Sequence, residues 1–72
     1  MTPIESPISG RVIVVHVKPG AALSAGDALC TVESMKMEIP IEVEAAGVVT
    51  ELLVEVGAEV AEGDLVARMR VG

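Results

Sequence analysis

The two halves of this chain are copies of one another, and that narrows its possible folds more than any other feature. Gly10, Gly20, Gly26 and Asp27 recur as Gly47, Gly57, Gly63 and Asp64, each pair 37 positions apart (10 to 47, 20 to 57, 26 to 63, 27 to 64). Val12, Val15, Val17, Leu23 and Leu29 recur at the same offset as Val49, Leu52, Val54, Val60 and Val66. Polarity is not kept everywhere: Val14 becomes Glu51 and Ile13 becomes Thr50. The shared apolar positions therefore mark the core, and the unshared ones face water. Val12 and Val15 lie three apart, which breaks the alternation of a flat strand and predicts a bulge or a strand that changes sheets.

Each copy reads as short strands separated by turns. Arg11–Lys18 is valine-rich and ends at Pro19-Gly20; Ala25-Gly26-Asp27 marks a second turn before the apolar run Ala28–Val32. Met1–Ser9 contains Pro3 and Pro7 and has little periodicity, with Pro7-Ile8-Ser9-Gly10 reading as a turn into the first strand. No segment sustains a helical period. A single strand-turn-strand unit cannot cover its own apolar face, so the two copies are expected to cover each other about a pseudo-two-fold axis. The glycines would supply turns with positive φ or close backbone approaches. The expected fold is all-β: a flattened antiparallel barrel or sandwich, one domain over residues 1–72.

Composition removes several function classes. The absence of Phe, Tyr and Trp leaves no stacking platform for bases. A net charge of -6 disfavours nucleic acid and anionic membrane surfaces as partners. No apolar run is long enough for a spanning helix. The single cysteine, Cys30, permits no internal disulfide, so a reducing, cytoplasmic setting is expected, and its apolar strand makes it a small core hydrophobe. His16 is the sole histidine; it has no cysteine or acid at ligand spacing and reads as a surface strand residue. No nucleophile–base pair stands out. The eleven acids are spread along the chain as solvated faces. No residue set here is expected to run a reaction alone, and the chain is expected to be a monomer as an isolated domain.

The departure from this uniform pattern is Glu33-Ser34-Met35-Lys36-Met37-Glu38. To its right, Ile39, Ile41 and Val43 alternate with Glu38, Pro40, Glu42 and Glu44, the period of a half-buried strand. With Met35-Lys36 as a two-residue loop, Ser34 faces Met37, Glu33 faces Glu38, Val32 faces Ile39 and Cys30 faces Ile41. That register gathers the apolar side chains on one face. It also opposes two glutamates, which is tolerable only in water, so the tip should project into solvent. Tight hairpins favour Asn-Gly or Asp-Gly because both central residues need positive φ. Met and Lys are poor choices there, and a local rule broken at an exposed tip marks a functional position. The plain alternative is a solvated lysine in an ordinary turn.

Glu33-Ser34-Met35-Lys36-Met37 resembles the attachment motif of biotinyl domains, usually Glu-Ala-Met-Lys-Met, with Ser34 in place of the alanine. The resemblance extends over nearly the whole chain. It implies a flattened barrel of two four-stranded sheets, a barrel-sandwich hybrid of biotinyl/lipoyl type, with biotin joined to Lys36 by an amide bond. It implies that Met35 and Met37 are read by a biotin protein ligase as soft apolar contacts, with Glu33 and Ser34 completing the motif. The implied role is to shuttle carboxybiotin between biotin carboxylase and carboxyltransferase sites of a carboxylase or decarboxylase. Lipoyl domains share the fold but usually carry Asp-Lys-Ala at the tip, so a lipoyl carrier is the first alternative. An unmodified interaction module is the second. The constant offset leaves no room for the protruding thumb of the acetyl-CoA carboxylase carrier. The chain is more similar to thumbless biotinyl domains or to small free-standing biotin/lipoyl attachment proteins.

Overall fold

Eight strands account for most of residues 2–72, the part of the chain described by the computed structural model. They are β1 (Thr2–Glu5), β2 (Gly10–Val15), β3 (Ala22–Leu23), β4 (Ala28–Ser34), β5 (Met37–Glu42), β6 (Gly47–Leu52), β7 (Glu59–Val60) and β8 (Leu65–Val71). All pairings are antiparallel, in two four-stranded sheets ordered β1-β8-β6-β3 and β5-β4-β2-β7. The 37-residue offset converts one order into the other strand by strand. Among the described residues there is no helix, and hence none long and apolar enough to cross a membrane.

The expected bulge is present in both copies. Register shifts between Val12 and Val14 against β4, and between Val49 and Glu51 against β8. At each bulge the chain binds the other half. Val12 N–H donates to Ala58 O (2.8 Å) and Gly57 N–H to Val12 O (2.8 Å). Their equivalents are Val49 N–H to Ala21 O (2.9 Å) and Gly20 N–H to Val49 O (2.7 Å). The loop of each copy thus satisfies backbone groups of the other copy's bulged strand. The repeated aspartates close local turns, with Asp27 Oδ2 accepting from Ser24 N–H (2.9 Å) and Asp64 Oδ2 from Ala61 N–H (2.8 Å).

Val12, Leu29, Val49, Val60 and Val66, all repeat positions, are buried together with Cys30, Val32, Ile41, Val43, Ala67 and Met69. Val15, Val17, Leu23, Leu52 and Val54 pack against this core while half-buried. Val14 is exposed, as is Glu51, as their unshared polarity predicts, whereas the other unshared pair, Ile13 and Thr50, is half-buried and does not face water freely. Gly10 and Gly47 are required by close approach rather than by φ. A Cβ on Gly10 would run into the Glu33 carbonyl oxygen, and one on Gly47 into that of Arg70.

Two local readings change. The segment before Ser9, with little periodicity, forms β1 in its first half. It is an edge strand paired only with β8, where Pro3 loses no ladder bond on its open side. The repeat carries this signal, since Pro3-Ile4-Glu5 recurs 37 positions on as Pro40-Ile41-Glu42 in β5, the corresponding edge strand of the second sheet. The valine-rich strand also stops earlier than expected, at Val15, so His16 lies just beyond it.

Candidate functional site

The β4–β5 hairpin has the register that the residue pattern requires. Cys30 pairs with Ile41, Val32 with Ile39, Glu33 with Glu38 and Ser34 with Met37. The buried side of this ladder holds Cys30, Val32 and Ile41 at 0–2% exposure, anchoring the hairpin in the core. Toward the tip that anchorage ends: Glu33 and Glu38 are both exposed and Ser34 is half-buried. Water screens the opposed carboxylates. Arg11 on β2 is the register partner of Glu33 on its other side.

The turn itself is strained. Met35 has φ 52° and Lys36 φ 66°, the two non-glycine residues with positive φ among the described residues. These values match the two central positions of a type I′ turn, which suits the twist of the strands but costs an L-residue on the order of 1–2 kcal/mol. No burial offsets it. Met35 is 92% and Met37 62% exposed. Lys36 is exposed and makes no hydrogen bond or ion pair with any described residue. Its amine is therefore free to be acylated, while the ladder below holds its Cα in one register. That arrangement fits a group joined through an amide bond.

Other candidates carry less. His16 Nε2 lies 2.9 Å from Thr31 Oγ1, and the described residues contain no cluster of three metal-ligating side chains. Cys30 is fully buried, and desolvation pushes its thiol pKa up, opposite to the shift of a reactive thiolate. Arg11 stands outside the motif. Its signal in the sequence is a broken repeat, since position 48 holds Val. It forms a 3.8 Å ion pair with Glu59 on the surface, an interaction of little energetic weight.

A symmetric β-sandwich that presents an unpartnered lysine on a strained turn has the geometry of an attachment module. The family model described as "biotin-requiring enzyme" matches residues 2–69, and the chain belongs to this biotin/lipoyl attachment family. It is 41% identical to the biotinylated protein TB7.3 homolog of Mycobacterium leprae, over 89% of this chain and 90% of that protein. It is 36% identical to the mitochondrial propionyl-CoA carboxylase alpha chain of Homo sapiens, over 92% of this chain and 9% of that one. Identity reaches 48% over 75% of this chain with the dihydrolipoyllysine-residue acetyltransferase component of the pyruvate dehydrogenase complex of Cupriavidus necator, covering 10% of it. The chain thus spans about a tenth of these two longer relatives. Among solved structures, the lipoyl domain of the 2-oxoglutarate dehydrogenase complex from Azotobacter vinelandii superposes with a TM-score of 0.82 at 27% identity, covering 100% of this chain and 99% of that one.

Proposed function

We propose that this chain is a biotin carboxyl carrier, a single domain over 1–72 that holds biotin on Lys36. The observation that carries the reading is the tip: a lysine in a positive-φ turn, between two exposed methionines that the fold does not use. The ladder of β4 and β5 orients the Lys36 amine outward for acylation by a biotin protein ligase. Met35 and Met37 offer that ligase apolar contact, and Glu33 and Ser34 complete the recognised segment. Biotin, once attached, supplies the carboxyl-carrying chemistry, while partner enzymes supply the catalysis. The flexible Lys36 stem provides reach, and tethering raises the effective concentration of the carried group at both biotin carboxylase and carboxyltransferase sites. An acidic, largely polar surface suits the weak docking that repeated release demands. The domain would work as a monomer, in the cytoplasm.

A lipoyl carrier is the second reading, favoured by the acetyltransferase relative and by the lipoyl-domain superposition. Paired methionines in place of an Asp-Lys-Ala tip support biotin. Intact-mass measurement after co-expression with biotin ligase, and separately with lipoate ligase, decides between them. A biotin-sized increment mapping to Lys36 is expected. A lipoyl increment, or an unchanged mass in both strains, would overturn the proposal.

A further inference from the structure

The methionines at the tip have chemistry that attachment alone does not need. Met35 and Met37 are among the most exposed large hydrophobic residues of the domain, at 92% and 62%, whereas Met69 in β8 is at 0%. The thiol that would ordinarily intercept an oxidant first is sealed away, because Cys30 is also at 0% exposure. Among the described residues, the sulfur atoms open to solvent are therefore the two that flank Lys36. We infer that Met35 and Met37 form a peroxide-reactive site whose oxidation makes Lys36 a poor acceptor for acylation. The acceptor part of this inference rests on the reading of Lys36 given above.

The step is a two-electron oxygen transfer. A thioether lone pair attacks one oxygen of a hydroperoxide and the O–O bond breaks. That oxygen stays on sulfur as the sulfoxide, and the remainder leaves, after proton transfer, as water or an alcohol. Sulfur is oxidised and the peroxide reduced, with no other reactant. The product side chain is polar and chiral where a flexible apolar one stood. In Met69 such a change would disrupt the core. At the tip it costs the fold almost nothing, since neither Met35 nor Met37 belongs to the buried cluster. Its effect falls on whatever must touch the residues on either side of Lys36. Methionine sulfoxide is reducible, so the change can be reversed.

The test uses the unacylated full chain treated with hydrogen peroxide and then with catalase. Peptide mass spectrometry should find Met35 and Met37 oxidised at least about tenfold faster than Met69, following exposure. With biotin ligase, ATP and biotin, the oxidised chain should be acylated about tenfold more slowly than the untreated chain, because apolar contact is lost on both sides of the lysine. Methionine sulfoxide reductases should restore the rate, and a Met35→Leu/Met37→Leu variant should be indifferent to peroxide. Oxidation of Met69 as fast as Met35, or an equal slowing of the double variant, would overturn the inference. Equal acylation rates before and after peroxide would overturn it while leaving the biotin reading intact. A chain that accepts no biotin even before peroxide would overturn both.

Discussion

The β4–β5 ladder and the β8–β1 ladder are one structure put to two uses. Val32 faces Ile39 in the first as Met69 faces Thr2 in the second; Thr31 faces Pro40 as Arg68 faces Pro3; Cys30 faces Ile41 as Ala67 faces Ile4. Beyond these pairs the two diverge. The first continues through Glu33 and Ser34 into the Met35-Lys36 turn and returns as β5. The second carries no turn, because β8 and β1 come from opposite ends of the sequence. What the ladders share is explained by burial within the molecule. Only the first has opposed glutamates, exposed thioethers and a lysine at positive φ, and none of these side chains belongs to the buried core.

The largest effect should come from removing the amine. Lys36→Arg keeps the charge and the turn but is not a ligase nucleophile, so avidin-detectable biotin should disappear entirely. Stability should stay within about 0.5 kcal/mol of the parent, as for other exposed positions. Residual biotin would move the site to Lys18, the only other lysine, and end the functional contrast between the ladders.

Next come changes that should strike both halves alike. Gly10→Ala and Gly47→Ala each drive a methyl group into a backbone carbonyl, of Glu33 and Arg70 respectively. Backbone yields less readily than a side chain, so each should cost about 3 kcal/mol, the upper part of the overpacking range. Val12→Ala and Val49→Ala remove equivalent, fully buried side chains and should each cost roughly 1–3 kcal/mol in lost transfer energy and cavity. Val17→Ala and Val54→Ala should cost less than these, because both side chains are half-buried. Val14→Ala, at a 41% exposed position, should stay within about 0.5 kcal/mol. Urea denaturation followed by far-UV circular dichroism measures all of these in a chain without aromatic residues. If Val14→Ala matched Val12→Ala, or if Gly47→Ala were harmless while Gly10→Ala was not, the equivalence of the halves would fail.

Most of this architecture is legible in the residues because the repeat samples each core position twice. A valine that stays apolar as Val49 is core; a valine that becomes Glu51 is not. The bulge is legible for the same reason, as a three-residue step present in both copies. The hairpin register follows from the alternation of Ile39 and Ile41 and from the need to keep Glu33 and Glu38 in water. β1 escapes a reading by period because alternation cannot be seen in Thr2–Glu5, where Pro3 interrupts a strand with only one neighbour. The two-residue strands β3 and β7 are too short for any period, and they exist because the opposite half's bulged strand pairs with them. Arg11 is hidden for a different reason: its relation to Glu33 is a cross-strand register, and the motif holds only neighbours in sequence.

An effect smaller than that of any core change tests the strain that separates the two ladders. Met35 has φ 52° with its side chain 92% in solvent, so it bears the left-handed penalty without compensating contacts. Asparagine tolerates that region because its short polar side chain can bond locally, and it is the favoured first residue of a type I′ turn. Met35→Asn should therefore raise stability by about 0.5–1 kcal/mol, less than any core change lowers it. It should also slow acylation of Lys36 by biotin ligase, since one apolar flank is gone. A more stable hairpin that is a worse substrate would show that the turn residues are kept against the interest of the fold. If Met35→Asn lowered stability instead, Met35 would be supporting the barrel despite its exposure. The β4–β5 tip would then differ from the rest of the repeat in degree only.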